Sequence, residues 1–268
     1  MVNPGTGRLR ADAVTLGYDR KTVSTGLSVT IPDDSFTVVV GPNACGKSTL
    51  LRSLARLLRP SAGDVVLDGE SIHRIATKEV ARRVGLLPQS ALAPEGITVG
   101  DLVARGRYPH QNLFRQQTEA DREAVAAAMA ATHVADLAEV PVDELSGGQR
   151  QRVWVAMALA QQTGILLLDE PTTFLDIAHQ IELLDLFAGL HRDGATLVAV
   201  LHDLNHAARY ATHLVVMKGG EVVAQGDPGE VVTADLVEDV FGLPCLVIPD
   251  PLSGTPLVIP RGTAHPAP

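Results

Sequence analysis

A run of five residues, Phe36-Thr-Val-Val-Val40, leads into Gly41-Pro-Asn-Ala-Cys-Gly46-Lys47-Ser48-Thr49, and that loop leads into Leu50-Leu-Arg-Ser-Leu54. The order predicts a strand, a glycine-rich loop and a helix, the context in which G-x-x-x-x-G-K-[ST] carries meaning. Backbone N–H groups of such a loop and the positive end of the next helix face a polyanion, and Lys47 adds a full charge. Ser48 then offers a hydroxyl to Mg²⁺. The helix is expected to continue to residue 58, where Pro60-Ser-Ala-Gly63 stops it.

Other strands deliver polar groups at their ends. Ile165-Leu-Leu-Leu168 is wholly apolar, as in a strand buried on both faces, and ends in Asp169-Glu170-Pro171. A carboxylate there, near a phosphate loop, is where Mg²⁺ is held, so Asp169 is the expected metal residue, through water. Glu170 lies one peptide further on and is the candidate general base for an attacking water. Ala195-Thr-Leu-Val-Ala-Val-Leu201 delivers His202, a candidate γ-phosphate sensor, with Asp203 as the cap of the next helix. Val84-Gly-Leu-Leu-Pro88 delivers Gln89, which could touch metal or water.

A second anion site is written into Leu145-Ser146-Gly147-Gly148-Gln149. Ser146, Gly147 and Gly148 precede a helix-prone stretch, so exposed N–H groups and the helix dipole again favour an anion. One chain therefore has two phosphate sites of different kinds.

Composition narrows the setting. A net charge of −9 and 3% aromatic residues argue against a nucleic-acid or anionic-lipid surface. Cys45 and Cys245 form no metal or redox spacing, which fits a reduced, cytosolic environment. The first ten residues have no apolar core of a secretory signal, and no apolar run approaches the roughly 20 residues that span a bilayer. Any membrane role is expected to go through a partner.

Residues 9–16, 27–31 and 36–40 read as strands, with an antiparallel element opening the chain. Residues 64–67 and the pair 214–217 and 222–224 add further strands, the last two forming a hairpin. Residues 91–143 contain no strand-like run. Helical patterns at 98–106 and 118–133, capped by Thr98 and Thr118, predict an all-helical insertion. The expected fold is α/β, with an antiparallel β subdomain and an inserted α-helical subdomain. The expected domains are a discontinuous α/β core at 1–90 and 150–245, a helical subdomain at 91–149 and a C-terminal tail at 246–268, frayed at 265–268.

These motifs, each present once and in order over nearly the whole chain, resemble those of the nucleotide-binding subunit of an ATP-binding cassette transporter, a P-loop NTPase. The resemblance implies ATP as the bound nucleotide, with Gly41, Pro42, Asn43, Ala44, Cys45, Gly46, Lys47, Ser48 and Thr49 as Walker A. It makes Gln89 the Q-loop, residues 145–149 the signature, Asp169 and Glu170 the Walker B pair, Phe174-Leu175-Asp176 the D-loop and His202 the switch histidine. Tyr18 matches the aromatic that stacks on adenine, or is an ordinary strand-end tyrosine. In similar proteins the signature of one subunit, here Ser146, Gly147, Gly148 and Gln149, closes on the nucleotide of the other in a head-to-tail homodimer.

The family also implies a permease, a periplasmic or surface substrate-binding protein acting indirectly, and a peripheral place on the cytoplasmic face of the cell membrane. Thr98-Val-Gly-Asp-Leu-Val-Ala-Arg105-Gly-Arg107-Tyr108-Pro109-His110-Gln111 and Asp250-Pro-Leu-Ser-Gly-Thr-Pro-Leu-Val-Ile-Pro260 resemble importers of ferric siderophores. Cobalamin or haem import is the rival. A soluble cassette ATPase is a remoter one, as is a nucleotide-binding module without turnover, against which Glu170 argues. Residues 89–110 are expected to form the permease groove, although Arg105, Arg107 and Tyr108 could equally be a solvated helix end. Ala44 stands where many relatives have Gly. If that position needs φ > 0, Ala costs on the order of 1 kcal/mol, so the loop is expected to keep Ala44 in an allowed region. Thr172-Thr-Phe174 replaces the more usual Ser-Ala before Leu-Asp, which bears only on the D-loop.

Overall fold

Apolar residues alternate along Leu9–Tyr18 (β1), which pairs antiparallel with Lys21–Ile31 (β2). The register breaks between Ala11 and Val14, where Ala13 takes φ 48° and the strand bulges. Phe36–Val40 (β3) is buried throughout and leads into the loop before Lys47–Leu54 (α1). Ala62–Leu67 (β4) and Glu70–Ser71 (β5) complete a sheet of order β2-β1-β4-β5, the antiparallel element the sequence predicts. The structure is a computed structural model and describes residues 7–19, 21–89, 92–111, 118–173 and 175–262.

Thr77–Arg83 (α2) precedes Val84–Leu87 (β6). Val99–Ala104 (α3), a 3-10 turn at Arg105–Arg107 and Glu119–Ala131 (α4) follow, then the long helix Gly147–Ala160 (α5). Ile165–Asp169 (β7), Ile177–Arg192 (α6) and Thr196–Val200 (β8) come next. Leu204–Tyr210 (α7) leads to the hairpin His213–Lys218 (β9) and Glu221–Gly226 (β10). The chain closes with Pro228–Val231 (α8), Ala234–Phe241 (α9), Cys245–Pro249 (β11) and Pro256–Pro260 (β12).

Two compact units divide these elements. The first comprises Met1–Arg74 and Val198–Pro268. It contains the antiparallel sheet and a strand order β10-β9-β3-β8, with β3 parallel to β9. The second is Ile75–Leu197, with the order β8-β7-β6 and β6 parallel to β7. The division cuts β8 itself. Between residues 92 and 145 the described residues form helices and turns, with one isolated bridge from Thr98 to Pro141.

Several local expectations change. Helix α1 stops at Leu54, four residues early, because Arg56 turns left-handed at φ 66°. Its N–H reaches Ser53 O and that of Leu57 reaches Arg52 O, a Schellman ending without glycine. The stretch expected as a tail contains the β11–β12 hairpin, held by Asn205, whose side chain accepts from Val258 N (2.7 Å) and donates to Val258 O (3.2 Å). Residues 265–268 lie outside the described residues. The expected Thr98, Thr118 and Asp203 caps are all formed, Thr118 and Asp121 make a full capping box, and Asp176 caps α6 as well.

Candidate nucleotide site

The first unit holds the phosphate loop. Gly41, at φ 152°, has no room for a side chain, since a Cβ would lie 2.1 Å from Met217 O. Gly46, at φ 107°, caps α1 without a side-chain hydrogen bond, so the helix end is left to backbone N–H groups. Gly220 N donates to Cys45 O (3.1 Å), fastening the loop to the β9–β10 turn. Lys47 is buried, and its Nζ donates to Gly41 O (2.8 Å) and Pro42 O (3.0 Å), which holds the cation across the loop.

Ala44 adopts φ 62°, in the left-handed region the sequence reading had it avoid. Next along the loop, Cys45 O accepts from Gly220 N and Gly46 caps α1. Cys45 is buried, and burial pushes its thiol pKa up against the opposing pull of Lys47.

His202 and Tyr18 share this unit. Leu201 N donates to Val39 O (3.3 Å), so β8 and β3 end side by side, and exposed His202 leaves the same edge as Gly41. Tyr18 ends β1 with its ring partly exposed, and Arg52 Nη1 donates to its hydroxyl (3.2 Å).

The second unit holds the carboxylates and the second glycine motif. Parallel pairing of Leu87 with Leu168 brings β6 and β7 to a common edge. Buried Asp169 ends β7 there, and Gln89 follows β6. Gln89 Nε2 donates to Glu170 Oε2 at 2.6 Å, and Thr173 Oγ1 reaches the same oxygen at 3.4 Å. Glu170 itself sits at φ 54°, a conformation costing on the order of 1 kcal/mol, of the kind that collects at working sites. Gln151 Nε2 donates to Pro171 O (2.9 Å) and fixes the turn beyond it.

Ser146 caps α5 in a capping box with Gln149: Gln149 N donates to Ser146 Oγ (3.3 Å) and Ser146 N to Gln149 Oε1 (3.0 Å). Ser146 and Gly147 are exposed, while Leu145 is buried beneath them. Arg150 Nη2 donates to Asp143 O (3.3 Å) and Leu145 O (3.4 Å), bracing the entry to the helix. A Cβ on Gly148 would press Leu175 Cδ2 at 3.3 Å. Asp176 caps α6, and hydrogen bonds from His179 lower its carboxyl pKa. Phe174 lies outside the described residues.

In the second unit Asp169 and Gln89 offer a carboxylate and an amide oxygen, and in the first Ser48 offers a hydroxyl, all hard oxygen donors of the kind that suit Mg²⁺. No group of three or more His, Cys, Asp or Glu that could hold a metal occurs among the described residues. No helix among those residues is long and apolar enough to cross a membrane.

Sequence reasoning missed Thr173, Gln151 and the true environment of Arg107. Arg107 is neither a solvated helix end nor available to a partner. It is buried, with Nε donating to Asp121 Oδ1 (2.8 Å). Tyr108, its neighbour, is 58% exposed. Gln151, two residues beyond the signature, carried a positional hint; Thr173 lies three residues from the carboxylate it meets, and the contacts of Arg107 reach residues 14 to 55 positions away.

Comparison with known proteins completes the description. The family model for "ABC transporter" matches residues 24–173. The ferric enterobactin transport ATP-binding protein FepC of Escherichia coli (strain K12) is 59% identical over 97% of this chain and 96% of its own length. A transporter described as being of metal-chelate type, in an inward-facing conformation, superposes with a TM-score of 0.81 at 26% identity, over 96% of this chain and 98% of its own. The ATP-binding cassette MJ0796, in a dimeric post-hydrolysis state bound to ADP and Pi, gives a TM-score of 0.72 at 26% identity, over 82% of this chain and 98% of its own.

Proposed function

The chain belongs to the ABC transporter family, and we propose that it is the ATP-binding and ATP-hydrolysing subunit of an importer of ferric siderophores. The observation that carries the substrate class is the 59% identity to a ferric enterobactin subunit over nearly the full length of both chains. The phosphate loop is the ATP site. Tyr18 stacks on the base, and residues 41–49 wrap the phosphates, with Lys47 turning from Gly41 O and Pro42 O to the β- and γ-phosphates.

Ser48, Asp169 and Gln89 would hold Mg²⁺, which when bound neutralises charge on the phosphate oxygens. Glu170 accepts the proton of the attacking water, with its carboxylate oriented by Gln89 and Thr173. His202 contacts the γ-phosphate from the end of β8. The exposed Ser146 and Gly147 cover the nucleotide of a second copy, because the chain already has a phosphate site of its own. Two copies in a symmetric head-to-tail dimer then form two composite sites; the similar cassette MJ0796 is described as dimeric.

ATP binding closes the dimer and hydrolysis reopens it, driving permease subunits docked near residues 89–110 between two states. The subunit lies on the cytoplasmic face of the membrane through that permease, and a substrate-binding protein delivers the cargo. Growth and labelled-iron uptake by a deletion strain given defined ferric siderophores under iron limitation test the reading. Loss of uptake of at least one siderophore, restored by the gene, is expected. Unchanged uptake of all of them contradicts it and redirects the search to cobalamin or haem.

A further inference from the structure

The C-terminal end of α5 is finished by side chains from residues 105–110. The last carbonyls of a helix have no partner within it. Arg107 Nη1 donates to Ala160 O (2.8 Å) and to Gln162 Oε1 (3.0 Å), and His110 Nε2 donates to Gln161 O (2.8 Å). The Arg107 guanidinium suits this negative end of the helix dipole. Gly106 lies so close that a Cβ would sit 2.2 Å from Met157 O. Residues 106, 107 and 110 thus seat one strip on the last turn of α5.

The same arginine reaches a second helix. Asp121, which accepts from Arg107 Nε, is the capping-box residue of α4, and its Oδ2 accepts from Thr118 N (3.0 Å) and Thr118 Oγ1 (2.8 Å). Arg107 and Asp121 are 6% and 4% exposed, so this junction is inside the unit. A third helix joins through Arg82 Nε to Pro109 O and Gln161 Nε2 to Ala81 O, both 2.8 Å. The strip has two sides, with Tyr108 exposed on one and Arg107 buried on the other.

Helix α5 begins at the Ser146 cap and runs 14 residues, about 21 Å at 1.5 Å per residue, to this junction. Resting on the reading of residues 89–110 as the permease-facing strip, we propose that Arg107 is a positioning residue for ATP turnover: it latches that strip to α5, so that the state of the permease is transmitted along the helix to Ser146, Gly147 and Gly148. No bend-prone residue interrupts α5 after Gly148, and its capping box fixes the signature to the moving rod.

The test uses the whole importer in proteoliposomes, with ATPase measured with and without loaded substrate-binding protein. Arg107→Lys keeps a cation for Asp121, but one ammonium cannot reproduce the guanidinium fork to Asp121, Ala160 O and Gln162. His110→Ala removes one cap without stranding a buried charge, so it serves if Arg107→Lys fails to fold. Both are expected to lower the stimulated-to-unstimulated ratio at least fivefold through kcat, with KM for ATP within twofold of the wild type. His110→Gln, whose amide can donate to Gln161 O, is expected to restore most of the ratio. A ratio within twofold of the wild type in both variants overturns the proposal, as does a change confined to KM or loss of permease association. Absence of stimulation in the wild type overturns the importer reading itself, and the proposal with it.

Discussion

Gln89 donates to Glu170 at 2.6 Å, joining the ends of two parallel strands 81 residues apart in sequence. The candidate base is thereby held by the residue that opens the strip proposed to face the permease. Gln89→Ala is expected to lower kcat about tenfold, the scale of one lost orienting contact, while nucleotide affinity changes less than threefold. Steady-state ATPase and nucleotide titration check this; an unchanged kcat would detach Gln89 from the base.

Glu170→Gln removes the base while keeping the acceptor for Gln89. Hydrolysis is expected to fall by roughly 10²–10⁴-fold with ATP still bound. Single-turnover measurements decide it, and turnover near the wild-type rate would mean that another group takes the proton.

Lys47 is the cation held across the phosphate loop. Lys47→Ala is expected to abolish useful ATP binding, read by nucleotide titration, with the fold retained by circular dichroism. Binding within threefold of the wild type would remove Lys47 from the site.

Asp121 is held at about 2, below its ordinary 3.8, first by the side-chain hydrogen bond from Arg107 and then by the Thr118 backbone. A carboxylate with a lowered folded pKa stabilises fully above its unfolded value, and that stability is lost as pH falls through the folded value. Asp121→Asn leaves Arg107 buried and uncompensated, which costs about 3–5 kcal/mol at neutral pH. Denaturant melts should show the gap from the wild type narrowing between pH 3.8 and about 2, and a constant gap would contradict the pairing.

Much of this was legible in the sequence because it depends on local chemistry. The phosphate loop follows its strand as Gly41, Gly46 and Lys47 require, and Thr98, Thr118 and Asp203 cap the helices they precede. Where a local signal was missing, the reading failed. Arg56 ends α1 left-handed in a position that glycine usually marks. Pro249, Pro256 and Pro260 lie at the ends of β11 and β12, so a proline-rich segment that reads as a tail forms a hairpin. Ala44 is left-handed at φ 62° although no glycine marks the position. The Gln89–Glu170 and Arg107–Asp121 bonds join segments brought together only by tertiary packing, and no periodicity reports them.

The central claim is that one copy supplies half of each of two shared sites, with the Ser146 end of α5 closing on a partner's nucleotide. Sedimentation of Glu170→Gln with saturating ATP and Mg²⁺ measures this directly, alone and combined with Ser146→Arg. The account predicts an ATP-dependent dimer for the first variant and, for the second, a monomer that still binds ATP. A monomer in the first case, or equal dimer mass in both, would contradict it.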